Sequence, residues 1–288
     1  MKRKPLNLLH ITIVLILAVF VFSTNSTAQQ KDGLLKVYFF DVGQGDSIFI
    51  ESPNGIQVLI DGGPDGKVVQ KLSEVMPFYD RDLDLVVLTH PDADHVTGLI
   101  EVLERYEVEN ILDTKGKYDS AIFKTWRSAV ENEGSRLIEA IGGKSINLGG
   151  GISLNILYPL KSLSGKEFLN KNNNSIVLML RYKENEILFT GDMEVLAERA
   201  LIANNINVNS DVLKVAHHGS KTSTSDEFLS LVNPQIAVIQ VGEKNRYRHP
   251  SPVVLKRLED YGIKYYRTDI DGDIRLVSDG SNFSINNY

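Results

Sequence analysis

The 288-residue chain contains no cysteine. That excludes disulfide staples, thiolate metal ligands and a cysteine nucleophile at once, and it leaves the redox compartment open. An excess of positive charge is missing too. With 37 Asp plus Glu against 31 Lys plus Arg, the formal net charge is −6 and the pI about 5.6. Such a chain lacks the broad positive field that tight, non-specific nucleic-acid binding needs. Apolar residues make up 42% and charged residues 24%, a globular mixture that excludes collagen-like, coiled-coil and wholly disordered chains.

Long apolar runs are scarce: the single one extends from Leu8 to Phe22. Lys2-Arg3-Lys4 precede it, and Ser23 to Ala28 follow as small, polar residues. A basic start, a short apolar stretch and small residues describe a secretory signal. The run is shorter than the ~20 residues of a full membrane span. The expectation is that residues 1–28 are a signal peptide cut near Ala28, with retention as a single membrane anchor as the alternative. The protein is then secreted or extracytoplasmic, tethered to the membrane in the second case. Cleavage removes three cations and no acids, so the net charge moves from −6 to −9.

What is present from residue 35 onward is an alternation of strands and helices. Strand patterns cover Lys36–Phe40, Ser47–Glu51 and Gln57–Asp61, the last two flanking Pro53-Asn54-Gly55, a strong hairpin signal. Leu83–Thr89 is an apolar run broken only by Asp84, as in a strand covered on both faces. Val96, Leu99, Ile100 and Leu103 fall at helical spacing. A second hairpin, Ser175–Tyr182 with Glu186–Thr190, echoes the first. The prediction is one α/β domain over residues 35–288: an αββα sandwich of two mixed β-sheets with helices on the outer faces. A doubly wound nucleotide-binding sheet is the main alternative. It is disfavoured because no phosphate-cradling Gly loop opens a helix after the first strand.

Five of the six histidines lie outside the amino-terminal segment, each at or near the end of a predicted strand. His90, Asp92, Asp94 and His95 fall within six residues between a strand and a helix. Such a cluster repels itself unless hydrated or gathered around a cation. His and Asp suit zinc, manganese or iron. In a tight turn, His90 and Asp92 reach one metal while Asp94 and His95 reach a second. The plainer reading is a solvated loop with Asp92 or Asp94 as a helix cap. Asp192 follows Thr190-Gly191 at a strand end, either bridging two metals or capping the next helix. His217-His218 ends another apolar strand, a poor place for a packing pair.

Asp61-Gly62-Gly63, Thr89-His90-Pro91-Asp92-Ala93-Asp94-His95, Thr190-Gly191-Asp192 and His217-His218-Gly219-Ser220 resemble the ordered motifs of the metallo-β-lactamase fold superfamily. Phe40-Asp41-Val42-Gly43-Gln44-Gly45-Asp46, Asn172-Asn173-Asn174-Ser175 and Arg248-His249-Pro250-Ser251-Pro252 resemble one branch, the soluble hydrolase-like domain of the ComEC competence family. The resemblance covers about residues 36–277. Two departures from the wider superfamily stand out: Asp92 replaces the second His of its His-x-His-x-Asp-His signature, and Asn172 to Ser175 stand where a further metal-binding His is usual. Both are typical of the ComEC branch. They leave the first metal position poorer in imidazole, weaken its expected occupancy and favour manganese beside zinc. The multi-span channel portion of the ComEC proteins has no counterpart here, so the chain resembles their external domain standing alone.

The resemblance implies a metal-dependent hydrolase with two divalent ions, Zn2+ or Mn2+. Asp94, His95 and one of His217 or His218 hold one ion, with the resemblance favouring His218. His90 and Asp92 contribute to the other, and Asp192 bridges. A metal-bound hydroxide, titrating near ~7, then serves as nucleophile. Asp61 orients the ligand loop from behind. His249 protonates a leaving group or grips phosphate. Asn172 and Ser175 bind substrate oxygens, and Lys221, Arg246 and Arg248 suit an anion. The implied substrate is a phosphodiester, extracellular DNA among the candidates. A small ester or phosphocholine-type substrate is the alternative, and so is a non-catalytic binding domain that kept the fold.

Overall fold

The computed structural model describes residues 33–167 and 170–287. The expected signal segment, residues 1–28, lies outside them. Among the described residues no helix is long and apolar enough to cross a membrane.

The first half gives β1 (Leu35–Phe39), β2 (Ile48–Glu51), β3 (Gln57–Ile60), α1 (Lys67–Val75), β4 (Asp82–Val87), α2 (Ala93–Leu103), β5 (Glu107–Asp113), α3 (Ala121–Glu133) and β6 (Arg136–Glu139). The second gives β7 (Ser145–Asn147), β8 (Ile152–Tyr158), β9 (Val177–Tyr182), β10 (Asn185–Phe189), α4 (Val195–Ala203), β11 (Val212–Lys214), α5 (Asp226–Val232), β12 (Ile236–Ile239), α6 (Pro252–Asp260) and β13 (Lys264–Arg267). A short α7 (Thr268–Asp271), β14 (Ile274–Ser278) and β15 (Phe283–Asn287) close the chain.

These strands make two mixed sheets, in the orders β15-β14-β1-β2-β3-β4-β5-β6 and β13-β12-β11-β10-β9-β8-β7. Each sheet joins an antiparallel hairpin to a parallel run. In the first, β2 and β3 pair antiparallel and β3 to β6 run parallel. In the second, β9 and β10 pair antiparallel and β10 to β13 run parallel. The echo between the two hairpins in the sequence is thus an echo in topology.

Alternation of side chains explains the layers. Val37 and Phe39 of β1 join Leu178, Leu180, Ile187 and Phe189 in a core between the sheets. Tyr38 and Phe40 face the other way, packing with Leu72, Leu99 and Trp126 of α1, α2 and α3. Leu188, Leu213 and Ala237 do the same for Leu201, Phe228 and Leu258 of α4, α5 and α6. This is the expected αββα sandwich.

Differences from the sequence reading sit at the strand ends. Strand β4 stops at Val87 rather than Thr89, because the Thr89 N–H leaves the ladder and donates to Asp61 Oδ1 at 2.8 Å. Strand β11 stops at Lys214, and a 3-10 turn, Ala216–Gly219, follows. Residues Asn172–Asn174 form another. Strand β7 and helix α7 carry too short a periodic signal to be read from sequence.

Candidate metal centre

The parallel strands of both sheets end at one mouth, where open α/β sheets place their ligand sites. Asp61 follows β3, His90 follows β4, Asp192 follows β10 and His217-His218 follow β11. Helix α2 brings Asp94 and His95 in its first turn. Its approach is set by glycine. A Cβ on Gly98 would meet Gly62 O at 1.9 Å, and one on Gly62 would meet Leu99 N at 2.4 Å. The close contact is sealed by Gly62 N donating to His95 O at 2.8 Å and Gly98 N to Gly63 O at 3.1 Å. Asp61, His217 and His218 all hold left-handed backbone, with φ of 57°, 51° and 53°. For residues with a Cβ this is uncommon and clusters at functional sites.

Each buried imidazole has its Nδ1 committed. His95 Nδ1 donates to Asp61 Oδ2 at 2.8 Å. His218 Nδ1 donates to the Gln240 carbonyl at 2.9 Å and lies 3.3 Å from Asp46 Oδ1. Thr89 Oγ1 donates to Asp61 Oδ2 at 2.6 Å, so it accepts from His90 Nδ1 at 3.1 Å. The three Nε2 atoms are thereby aimed inward, at 3.9, 3.4 and 3.4 Å from Asp192 Oδ2 for His90, His95 and His218. None of the three makes a hydrogen bond among the described residues, although all are buried. Asp94 Oδ2 stands 3.4 Å from His218 Nε2. Among the described residues, four groups have ligand atoms within 4.8 Å of one another: His90-His95-Asp192, Asp94-His95-His218, Asp46-Asp192-His218 and Asp46-Asp61-His95.

The electrostatics follow from this crowding. Burial pushes the Asp192 carboxyl up, but His218 and His95 more than offset it and hold it well below the carboxylate range. Burial lowers His95 and His218, but Asp192, with Asp61 and Asp46 respectively, raises both well above the ordinary imidazole value. Burial raises Asp94, and His218 and His95 bring it down to about 2. Burial together with His217 and His218 depresses His249 to about 4.

The sequence-level candidates do not all meet. His90, Asp94, His95, Asp192 and His218 converge. His217 is only half-buried and lines the cavity, its Nε2 3.8 Å from Asp192 Oδ2, as near as that of His90, and its Nδ1 3.5 Å from Glu194. Asp92 lies 3.6 Å from His90 Nε2, and Lys171 grips its other oxygen. Asp92 occupies the N-cap position of α2 but makes no side-chain capping bond, and α4 begins after Glu194, not Asp192, so neither carboxylate is spent on capping. Asn172 reaches the outer imidazole, with Nδ2 3.4 Å from the His217 ring nitrogens. Ser175 is fully buried and its hydroxyl accepts from Asp192 N at 3.2 Å. It supports the ligand strand instead of facing substrate. Lys221 is exposed and Arg248 is absent from the cavity wall, which Gln44, Pro64, Lys244, Asn245, Arg246, Tyr247 and His249 complete around Asp92, Asp94, Asp192, His217 and His218.

Two members escaped the sequence reading. Lys214 is wholly buried, contacts Asp46, donates to Gly191 O at 3.2 Å and stands 4.0 Å from Asp192 Oδ1. A lysine between Leu213 and Val215 in a strand covered on both faces was the available signal, since buried lysine is rare unless paired. Asp46 enters the sequence reading only as the last residue of the Phe40–Asp46 motif, with no role given to it.

The model of the metallo-beta-lactamase superfamily matches residues 40–243. The chain belongs to the metallo-β-lactamase superfamily. It is 31% identical over 257 residues to ComE operon protein 3 of Bacillus subtilis (strain 168), covering 83% of this chain and 32% of that protein. It is 29% identical over 281 residues to Recombination protein 2 of Haemophilus influenzae, covering 96% and 33%. The chain thus spans about a third of the length of these curated relatives. Among solved structures, CmlA, a diiron beta-hydroxylase from Streptomyces venezuelae, superposes with a TM-score of 0.55 at 14% identity, over 85% of this chain and 54% of that one. At that identity the likeness speaks for the fold alone.

The metallo-β-lactamase fold implies divalent metal binding, and the residues fit it. Three buried Nε2 atoms without hydrogen bonds around one carboxylate are costly in a closed core and are what a cation would satisfy. The Nδ1 bonds to carboxylate, carbonyl and hydroxyl fix each ring, as second partners do in metal sites.

Proposed function

We propose that this chain is a metal-dependent hydrolase acting on phosphodiester bonds. The observation that supports it best is the ring of unpartnered Nε2 atoms of His90, His95 and His218 around Asp192, which opens through Asp192 and His218 onto a cavity of about 740 Å³ whose wall carries Lys244 and Arg246. His95, His218, Asp94 and Asp192 would hold one divalent ion. His90 and Asp92, with Asp192 shared, would hold a second, more weakly, because Lys171 already neutralises Asp92. The mixed nitrogen and oxygen donors suit zinc or manganese. Bound divalent ions supply Lewis acidity, lowering the pKa of water and neutralising charge that builds on a phosphoryl oxygen.

The chain's own groups do the rest. Asp61 holds the His95 ring and the Thr89 backbone. Lys244 and Arg246 attract an anionic substrate despite the acidic whole. His249, depressed to about 4, is uncharged near neutral pH, so it meets substrate as a hydrogen-bonding imidazole. Water adds to phosphorus, and its proton leaves with the departing oxygen. Residues 35–288 act as the single hydrolase unit, and residues 1–28 export or anchor it. The name of one relative, Recombination protein 2, supports DNA among the substrates, and the resemblance to the ComEC competence family supports an extracytoplasmic site of action.

The test is elemental analysis of protein purified without added metal, paired with a panel of bis-p-nitrophenyl phosphate, p-nitrophenyl acetate and p-nitrophenylphosphocholine. Diester cleavage that a chelator abolishes, and that Asp192→Ala lowers by about 10²-fold or more, is the expected result. Preference for the acetate or the phosphocholine ester replaces the diester reading with those classes. Zero metal equivalents and no turnover leave a binding domain.

A further inference from the structure

The rim segment Lys244–His249 carries a ladder of π systems. The Tyr247 and His249 rings lie nearly parallel, with centroids 5.8 Å apart and planes 15° apart. The Arg246 guanidinium carbon sits 4.8 Å from the Tyr247 centroid, and Nη2 donates to Tyr247 Oη at 2.6 Å. Tyr247 is 50% exposed and belongs to none of the three apolar cores. All three residues line the same cavity as Asp94, Asp192 and His218.

The ladder is fixed in place relative to the imidazoles. Asn245 Nδ2 donates to Gly242 O at 2.9 Å and His249 O at 2.7 Å, while Asn245 Oδ1 accepts from His249 N at 2.8 Å. Ser251 N donates to Gly219 O at 2.8 Å. Gly219 packs so closely that a Cβ there would meet the Pro250 Cβ at 2.6 Å. The turn that carries His218 and the loop that carries Tyr247 therefore move as one.

An exposed aromatic ring beside a guanidinium plane takes a flat, electron-rich partner by stacking. A quaternary ammonium head group fits poorly, since Arg246 repels it. Nucleobases fit, and stacking on them tolerates any base. We propose that Arg246, Tyr247 and His249 form a base-stacking subsite that seats the nucleobase next to the phosphodiester held at the floor. A base inside a duplex has both faces covered, so the ligand is an unpaired nucleotide or single strand. The cavity, of about 740 Å³, is within the range that encloses a ligand of that size. The inference rests on the phosphodiester reading and deepens it.

Two diesters with the same leaving group test it: thymidine 5′-(p-nitrophenyl phosphate) and methyl p-nitrophenyl phosphate. The wild type should prefer the thymidine ester through KM. Tyr247→Ala should collapse that preference by roughly 5- to 150-fold, the stacking range for one base, and Tyr247→Phe should retain it. Calorimetry of thymidine 5′-monophosphate with chelator-treated protein gives a readout free of turnover, and the same loss is expected there. Fluorescein-labelled dT10 should bind more tightly than the matching duplex. No preference in the wild type, equal losses on both esters, or duplex binding as tight as single strand would each overturn the subsite. If neither ester is cleaved, the diester reading fails, and monophosphate binding that is insensitive to Tyr247→Ala would still sink the subsite separately.

Discussion

The floor of the cavity and its rim are built in opposite ways. On the floor, Asp61, Thr89 and Gln240 each take one nitrogen or its neighbour, so every buried ring has a single orientation. At the rim, Arg246, Tyr247 and His249 meet through ring faces and His217 meets His249 edge-on. The floor buries charge at high desolvation cost and must balance it; the rim stays wet. Preorganisation belongs to the first and adaptable recognition to the second. Substitutions on the floor should therefore act on metal and stability, and those on the rim on substrate alone.

The hardest strain on that contrast is Lys214. Its ammonium is fully buried against Asp46 and beside Asp192. Lys214→Met leaves those carboxylates short of a cation, which costs about 3–5 kcal/mol. For a chain of this size the melting temperature falls by about 2–4 °C per kcal/mol. Urea unfolding of the metal-free protein measures it. Adding Asp46→Asn to Lys214→Met should recover most of the loss. A drop below about 1 kcal/mol would show that the floor tolerates uncompensated charge and that the contrast is false.

Next is Asp61→Asn. The amide keeps the volume but cannot accept from His95 Nδ1, Thr89 N and Thr89 Oγ1 with the same charge. Partners of this kind are worth about 10–100-fold in metal affinity. Competition with a fluorescent zinc chelator should show that weakening, with thermal stability of the metal-free fold much less affected. No change in affinity would move Asp61 from positioning to mere turn formation.

How much of this was visible beforehand depends on range. Motifs whose members are close in sequence, such as His90 to His95, announced themselves because six residues held four donors. Strand-end placement of Asp192 and of the His217-His218 pair came from apolar runs stopping short. Which of the pair is fully buried is not decided by residue type. Two successive left-handed residues fan the rings apart, and only the Gln240 carbonyl, 22 positions away, selects His218. Lys214 and Asp46 were hidden for the same reason, since their pairing spans the two sheets. Ser175 was misread as a substrate contact because a hydroxyl at a strand start looks alike whether it faces water or the neighbouring strand.

Protonation sharpens the floor further. His95 and His218 have raised values in the folded, metal-free protein. Their stabilisation is complete below about 6.5, the unfolded value, and is lost as pH rises through the folded values. Asp46 and Asp192 are depressed, so theirs is present above about 3.9 and lost as pH falls through the folded values. A metal must displace the imidazolium protons. Affinity should therefore tighten by about tenfold per pH unit for each proton displaced as pH rises from about 6.5 toward the raised folded values. Titration calorimetry in buffers of different ionisation enthalpy counts those protons. A flat profile would mean the rings are already neutral.

The smallest effect is expected where floor meets rim. Lys171 and Asp92 pair with side chains 38% and 31% exposed, and such pairs contribute about 0.2–1 kcal/mol. Lys171→Met should thus leave folding stability almost unchanged. It would, however, free the Asp92 oxygen that the ammonium covers, and Asp92 already lies 3.6 Å from His90 Nε2. The weaker of the two metal positions should then tighten by about 1.4- to 5-fold, the same energy read as affinity. Metal content after dialysis at graded free manganese reports it directly. A rise confined to the second equivalent locates the competition at Asp92. An equal rise in both equivalents would instead make Lys171 a general field effect, and the boundary between a fixed floor and an open rim would have to be drawn elsewhere.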